Sequence, residues 1–295
     1  MKRSMLIAAA YAAVCIIWGT SWAVVRVNLT SMPPLMSAGI RFGLAALILL
    51  PVTVRKGTLL SADRSLFKLA AAVGITAFTL PFALIYRGQM KIDSGLSSVL
   101  FATFPFWTVL LSRLRGSSAR LTGPVIGGIM LGFIGVAIIL RFDPARGYDP
   151  AGCLLVLGGT ALQAASLLIV QKYGKTYTSA SINFWSMAMS AFMLIVASAL
   201  RESWTARSFD VPSVVSLIYL SLFGTVIVYV MYFWLAQRIS AVVLSQTAFV
   251  TPLIAVAAGM LWLHERLSFH AALGAVFILA GMVMTHQKEF TRRTA

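Results

Sequence analysis

Charged side chains are scarce in this 295-residue chain: they make up 11% of it, against about 25% in ordinary soluble domains. Apolar residues make up 59%, above the usual range of about 45–50%. This composition excludes a soluble globular protein. Because one helix needs about 20 apolar residues to cross a membrane, the chain is long enough for about ten crossings with short connections.

Acidic residues are the scarcest charges, with 8 Asp and Glu against 24 Lys and Arg. All eight lie in loops, in tails or at the ends of apolar stretches, with Glu265 nearest to the membrane. An intramembrane enzyme needs clustered carboxylates or a His/Glu metal set, so we expect no catalytic residue, metal or cofactor. The two cysteines, Cys15 and Cys153, lie in apolar stretches and predict neither a disulfide framework nor a metal site.

Apolar stretches of spanning length recur along the whole chain, which predicts an all-α integral membrane protein. Pro, Gly and Asp mark the breaks between them, as expected at helix ends. We predict ten transmembrane helices, numbered here as spans 1 to 10. They cover residues 5–24, 35–54, 66–85, 94–112, 121–140, 151–170, 181–200, 212–233, 241–262 and 269–284.

Basic residues are divided unevenly between the two ends of these spans. With the N-terminus inside, 15 of the 24 Lys and Arg lie on the inner side and 8 on the outer side, while Arg41 lies within span 2. Cytoplasmic loops carry the excess of Lys and Arg, so both termini are predicted to be cytoplasmic. The formal charge of +16 then favours contact with membrane lipids and not with nucleic acid.

An internal repeat is visible when the chain is compared with itself. Ser98 and Pro105 in span 4 return as Ser245 and Pro252 in span 9, each 147 positions later. The Gly19-Thr20 pair of span 1 returns as Gly159-Thr160 in span 6, 140 positions later, and loops of unequal length explain the different shift. The matching order predicts two five-helix repeats, residues 1–145 and 146–295.

A repeat unit with an odd number of crossings must enter the membrane upside down in its second copy. The two halves are therefore predicted to be inverted repeats around an axis in the membrane plane, enclosing a central cavity. Inverted repeats are the usual scaffold for alternating access, in which two halves rock around a fixed site.

Several motifs resemble one known family across essentially the whole chain. They are the Trp18-Gly19-Thr20-Ser21 segment, Arg41-Phe42 in span 2, Pro252 followed by Glu265, and the glycines of span 10. These features resemble the EamA-type drug/metabolite transporters, and most of all the YddG-type exporters of aromatic amino acids. The resemblance implies a bacterial inner membrane protein with a cavity lined chiefly by spans 1, 3, 4, 6, 8 and 9.

Side chains on one face of span 4 are the first candidates for the cavity wall. Ser98, Phe101 and Pro105 share a face, and the 147-residue shift maps this face onto span 9, with Ser245 and Phe249. A mid-membrane proline frees a backbone carbonyl that cavity water or a neighbour can satisfy. The alternative is that these prolines only kink their helices.

Aromatic residues at four-residue spacing are the second group of candidates. Phe78, Phe82 and Tyr86 in span 3 map onto Thr225, Tyr229 and Phe233 in span 8. Inversion places the two rows at different depths, where the rings could close either end of a pathway. The alternative is that they pack between helices or form interfacial belts.

Polar side chains within the spans are few, and their amides need partners. Gln163 and Gln246 are expected to bind the amino or carboxyl group of a zwitterion, while Trp18, Phe101 and Phe249 enclose its apolar part. Alternatively, such residues join helices together. The predicted substrate-binding residues are Trp18, Ser21, Phe78, Phe82, Ser98, Phe101, Pro105, Thr160, Gln163, Tyr229, Ser245, Gln246 and Phe249.

Arg41 is costly within a membrane and must face protein or water. The resemblance places it on span 2, outside the central lining, so we expect it to bind backbone carbonyls and not substrate.

The sequence favours a transporter that exports hydrophobic or aromatic amino acids. No central carboxylate is available as a proton relay, so we expect a facilitator without obligatory proton coupling. A broad exporter of amphipathic drugs or metabolites is the main alternative, because an aromatic cavity is permissive. A carrier of anionic metabolites would need several cavity Lys or Arg. Glycines in spans 5 and 10 predict close helix packing, and the oligomeric state stays open.

Overall fold

The structure is a computed structural model that describes residues 2–55, 63–115, 123–140, 149–245, 247–265 and 269–291. Within these ranges the chain forms helices joined by short turns, with no strand. The predicted all-helical class is confirmed.

The helices follow one another along the chain and are labelled in that order. They are α1 (Lys2–Asn28), α2 (Pro34–Arg55), α3 (Arg64–Val73), α4 (Leu80–Gln89), α5 (Ser94–Phe101), α6 (Phe104–Leu114), α7 (Gly123–Leu140), α8 (Pro150–Tyr173), α9 (Ser179–Arg201), α10 (Val211–Ser221), α11 (Val228–Ala236), α12 (Ala241–Ser245), α13 (Thr247–Trp262) and α14 (Phe269–Thr291). A π-helical turn, Gly74–Thr79, joins α3 to α4, and a second, Leu222–Ile227, joins α10 to α11.

Seven helical segments of the described chain are long and apolar enough to cross a membrane. They are Ser4–Asn28, Pro34–Arg55, Arg64–Gln89, Ser94–Leu114, Pro150–Tyr173, Ser179–Arg201 and Val211–Ala236. Shorter apolar helical stretches cover Ile126–Gly135, Val250–Trp262 and Ala272–Gly281. The fold is therefore that of a multi-pass membrane protein, and the total of ten spans stays a prediction.

The few acidic residues stabilise the beginnings of helices. Asp63, Asp149 and Asp210 are each the N-cap of the helix that follows, and their carboxylates accept hydrogen bonds from backbone N–H groups 2.7–2.9 Å away. A carboxylate at this position satisfies an N–H without an intrahelical partner and lies at the positive end of the helix dipole. The pKa of all three carboxyl groups is lowered, chiefly by the bond from the Leu66 N–H for Asp63, by the Lys91 side chain for Asp149 and by the Ser31 hydroxyl for Asp210.

Two further carboxylates cap helices that are distant in the sequence. Glu202, directly after α9, accepts hydrogen bonds of 2.9 Å from the N–H groups of Leu35 and Met36 at the start of α2. Glu265 accepts bonds of 3.1 Å from the N–H groups of Ser94 and Gly95 at the start of α5. Each contact joins the first half of the chain to the second.

Glycines allow two helices to approach each other where α7 packs against α14. A Cβ atom at Gly135 would lie 2.5 Å from the carbonyl oxygen of Gly274, and one at Gly281 would meet the carbonyl of Gly128. Only a residue without a side chain fits there. The prediction of close packing by the glycines of these two helices is confirmed.

The segments 64–89 and 211–236 are built alike. Each contains 26 residues, and each follows a capping aspartate, Asp63 or Asp210, at positions 147 apart. Each also changes from α-helix to a π-helical turn near its middle before returning to α-helix. π-Helical turns are rare and occur often at functional sites.

Candidate cavity between the two halves

A cavity of about 70 Å³ lies among helices from both halves of the chain. Each of the six spans named by the resemblance contributes to its wall, and α2 adds a seventh contribution, from Arg41. The lining residues are Trp18, Ser21, Trp22, Val25, Arg41, Phe82, Ile85, Tyr86, Gln89, Phe101, Gln163, Tyr229 and Thr251.

Helix α1 forms one wall through a single helical face. Trp18, Ser21, Trp22 and Val25 follow one another at positions i, i+3, i+4 and i+7, which places them in one row along the helix. The row combines two large rings with one hydroxyl group, and the Ser21 hydroxyl donates to the carbonyl of Ile17 at 2.6 Å. This wall is therefore almost entirely apolar toward the cavity.

Helix α4 forms a second wall by the same geometry. Phe82, Ile85, Tyr86 and Gln89 also occupy positions i, i+3, i+4 and i+7. Gln89 ends this row and is fully buried. The α4 wall is thus apolar along most of its length and polar at its end.

Ring contacts close the cavity laterally. The rings of Trp22 and Phe101 lie 5.4 Å apart between centroids, and those of Trp18 and Tyr229 lie 5.3 Å apart in an edge-to-face arrangement. Edge-to-face pairs add about 0.5–1.5 kcal/mol beyond burial of area. The cavity is therefore bounded by a preorganised aromatic surface suited to a flat, apolar group.

Arg41 is the charged group of this wall, and it is buried. Its Nε donates to the Thr225 hydroxyl at 2.5 Å, one Nη to the Tyr86 hydroxyl at 2.6 Å, and the other to the Gly224 carbonyl at 2.7 Å. Its guanidinium carbon lies 5.1 Å from the centre of the Phe82 ring, within cation–π range.

The π-helical turn Leu222–Ile227 explains how Arg41 can bind there. The Thr225 hydroxyl donates to the carbonyl of Leu220, five residues earlier, at 2.8 Å, and Thr225 and Gly224 both lie within the turn. A local departure from i→i−4 pairing leaves carbonyl groups available for other donors. The predicted contact of Arg41 with a backbone carbonyl is confirmed, but its predicted place outside the lining is wrong.

One end of the cavity is blocked by a cluster of buried rings. Phe78 lies 4.8 Å from Tyr229 and 5.0 Å from Phe42, measured between ring centroids. Phe233 lies 6.0 Å from Tyr229 and completes the cluster. We call these four residues the aromatic plug. Phe42, Phe78 and Phe233 are almost fully buried and make no contact with the cavity space.

The structure brings six of the predicted site residues to the cavity. They are Trp18, Ser21, Phe82, Phe101, Gln163 and Tyr229. Gln246 lies outside the described residues, and for Ser245 and Phe249 only the backbone is described, in α12 and α13.

Four other predicted site residues do not line this cavity. Phe78 belongs to the aromatic plug. Ser98 and Thr160 are buried, and their hydroxyls donate to carbonyls of their own helices, those of Gly95 at 2.6 Å and Val156 at 2.7 Å. Pro105 lies in the first turn of α6, after a break that separates it from α5.

Seven lining residues are absent from the predicted substrate-binding set, although two helical rows in the sequence point to most of them. Extending the Trp18 row by four and seven residues gives Trp22 and Val25, and extending the Phe82 row gives Tyr86 and Gln89. The seven are Trp22, Val25, Arg41, Ile85, Tyr86, Gln89 and Thr251. In the part of the chain that the structure describes, no three His, Cys, Asp or Glu side chains come together as a metal site would require.

An all-helical membrane protein with a small aromatic cavity among its helices has the architecture of a small-molecule transporter. The model of the EamA-like transporter family matches residues 4–141 and 150–286, so the chain belongs to this family and is a membrane transporter.

Two curated relatives and one solved structure are similar to this chain over most of its length. It is 29% identical over 251 residues, 84% of this chain and 79% of the relative, to the uncharacterized inner membrane transporter YedA of Escherichia coli (strain K12). It is 27% identical over 280 residues, 91% of both chains, to a protein of the same strain named probable amino-acid metabolite efflux pump. A protein crystal structure of 13% identity matches 98% of this chain and 99% of its own with a TM-score of 0.72, which shows the same fold.

Proposed function

We propose that this transporter exports hydrophobic and aromatic amino acids across a bacterial inner membrane by alternating access. The observation that carries the proposal is the cavity itself, whose wall combines six aromatic side chains with few polar groups. The rings suit an apolar side chain, and the amide of Gln163 suits the amino or carboxyl group of a zwitterion. The similarities to an inner membrane transporter and to a named amino-acid metabolite efflux pump agree with this substrate class and location.

Inverted repeats over residues 1–145 and 146–295, with ten spans and cytoplasmic termini, are part of the same proposal. Three observations support them. The family model matches twice along the chain, once in each half. The segments 64–89 and 211–236 share length, cap and π-helical turn. Helix α2 packs against α9 and α7 against α14, so each of these helices contacts its own counterpart, as helices next to a two-fold pseudosymmetry axis do.

The conformation described here is closed at the end that the aromatic plug blocks. Its cavity of about 70 Å³ is roughly half of the 150 Å³ that holds benzene in a soluble protein, so an aromatic amino acid needs the walls to separate. With the N-terminus in the cytoplasm, Trp22 and Gln89 lie toward the outer face and the aromatic plug toward the inner one. Transport then requires the plug to open while the outer ends of α1 and α4 come together.

A facilitated mechanism without obligatory proton coupling fits the charges. No carboxylate lines the cavity among the residues that the structure describes, and intramembrane proton relays are built from such groups. An imposed pH gradient should therefore fail to drive uphill accumulation of substrate in liposomes. Accumulation of substrate against its own concentration gradient, driven by the pH gradient, would refute this part of the proposal.

The decisive experiment is counterflow with the purified full-length chain in liposomes. Vesicles are loaded in turn with phenylalanine, tryptophan, leucine, threonine, glutamate and a lipophilic cation, and uptake of each labelled compound is measured. Phenylalanine and leucine should exchange rapidly and glutamate should not. Equal exchange of glutamate and phenylalanine would refute the cavity assignment, and exchange of the cation alone would instead identify a drug exporter. Empty vesicles and a Tyr229→Trp variant, which overfills the cavity, serve as controls.

A further inference from the structure

Arg41 has capacity for a ligand that its protein partners leave unused. A guanidinium group carries five N–H donors, and three of them are occupied by Thr225, Tyr86 and Gly224. None of the described Asp and Glu residues lies within 4.0 Å of it. A buried cation without a counterion is expensive unless something compensates for it, so the cavity is electrostatically suited to an anion.

The same cavity also contains acceptors without donors. Gln89 Oε1 and Thr251 Oγ1 are buried, line the cavity and have no hydrogen-bond partner among the described residues. The Oε1 atom of a glutamine can only accept a hydrogen bond, so its partner in a filled cavity must be a donor. Buried polar atoms of this kind call for a specific explanation.

A zwitterionic α-amino acid satisfies both requirements at once, because it carries a carboxylate and an ammonium group. The fork of an Arg matches the geometry of a carboxylate, and bonds between charged partners are about twice as strong as neutral ones. A phosphorylated metabolite carries more negative charge than the single cation in this wall offsets. We propose that Arg41 anchors the substrate carboxylate and that Gln89 Oε1 accepts from its ammonium group. This inference rests on the proposed function and specifies its substrate class.

Tyr86 and Thr225 are positioning residues for this anchor. Their hydroxyls accept from two of the nitrogens of Arg41 and so fix the plane of the guanidinium. Counted from the first residues of α2 and α9, Arg41 corresponds to Ser186, which is buried and does not line the cavity. The anchor therefore belongs to one half of the chain, and Ser186 provides a matched control.

The test compares L-phenylalanine with phenethylamine, which lacks the carboxylate, and 3-phenylpropionate, which lacks the amine. In liposome counterflow the unmodified protein should prefer phenylalanine over phenethylamine by about 10- to 100-fold, the range expected for hydrogen bonds to a charged group. Arg41→Gln should abolish this preference, Arg41→Lys should retain part of it, and Ser186→Ala should leave it unchanged. Gln89→Leu should weaken the preference for phenylalanine over 3-phenylpropionate.

Thermal unfolding in detergent separates a binding defect from misfolding. Phenylalanine should raise the Tm of the unmodified protein and of Ser186→Ala, but not that of Arg41→Gln. If Arg41→Gln does not fold, Tyr86→Phe and Thr225→Val replace it and should reduce the preference several-fold. An unchanged preference in these variants, or equal transport of phenylalanine and phenethylamine, overturns the anchor while leaving amino-acid export intact. Failure to transport any amino acid refutes the proposed function itself.

Discussion

The segments 64–89 and 211–236 share one backbone design but present different side chains. Both follow a capping aspartate, contain 26 residues and include a π-helical turn. The first gives four residues to the cavity wall and Phe78 to the plug, whereas the second gives Phe233 to the plug and Tyr229 to both. Their corresponding side chains differ at each of three positions. The pairs are Phe78 with Thr225, Phe82 with Tyr229 and Tyr86 with Phe233.

In each pair, a residue with a hydroxyl group in one segment corresponds to a phenylalanine in the other. This difference produces the asymmetry of the site. Tyr86 and Thr225 carry the two hydroxyls that bind Arg41, whereas Phe78 and Phe233 are buried in the aromatic plug. A repeated backbone therefore supplies the scaffold, and a few substitutions make one end polar and open while the other end is apolar and closed.

The largest expected effect concerns the plug. Phe78→Ala removes a fully buried ring and should lower the free energy of unfolding by about 3–5 kcal/mol, the usual cost of such a cavity in a core. Thermal unfolding of the purified protein in detergent measures it. Phe192→Ala is the matched control, because Phe192 on α9 is 72% exposed, and it should change stability by less than about 0.5 kcal/mol. Equal losses in both variants would contradict the described plug.

Moving a hydroxyl between Tyr86 and Phe233 tests the comparison at the third pair. Tyr86→Phe should reduce phenylalanine exchange about tenfold, because it removes an oxygen that accepts from Arg41. Phe233→Tyr should leave exchange nearly unchanged because the anchor is untouched, although a hydroxyl without a partner in the plug costs about 1–3 kcal/mol of stability. Counterflow and Tm measured on both variants check this. If both variants lost transport alike, the two ends of the cavity would not differ as described.

The smallest effect concerns the two capping aspartates. The pKa values of Asp63 and Asp210 are lowered, first by the backbone bond from Leu66 and the side-chain bond from Ser31 respectively. A carboxyl group with a lowered pKa stabilises the fold above its ordinary pKa of 3.8, and this contribution is lost as the pH falls through the folded value. Asp63→Ala and Asp210→Ala should each lower Tm slightly and equally near neutral pH. The difference in Tm between each variant and the unmodified protein should shrink under acid conditions. A difference that does not change with pH would exclude the caps as its source.

The positions of the helices could be predicted from the sequence because hydrophobic length and turn residues are local signals. The break between α5 and α6 could not, and it removed Pro105 from the row that begins at Ser98. The π-helical turn Gly74–Thr79 likewise shifts Phe78 out of register with Phe82, because its pairing adds a residue to the turn.

Arg41 shows why part of the site was missed. Tyr86 lies 45 positions after Arg41, on α4. Gly224 and Thr225 lie 183 and 184 positions after it, in the π-helical turn Leu222–Ile227. No local sequence pattern brings these residues together. The rows that end at Val25 and Gln89, in contrast, follow ordinary helical spacing, so their last residues are predictable from the sequence.

The account depends on the second half being inverted relative to the first, and labelling of single cysteines tests this most directly. Lys91 and Arg238 are exposed, lie at the ends of the two corresponding segments and are 147 positions apart. In a background without Cys15 and Cys153, a membrane-impermeant maleimide should modify Lys91→Cys in intact cells and Arg238→Cys only after permeabilisation. Modification of both cysteines from the same side would contradict the inverted repeat and the transport mechanism built on it.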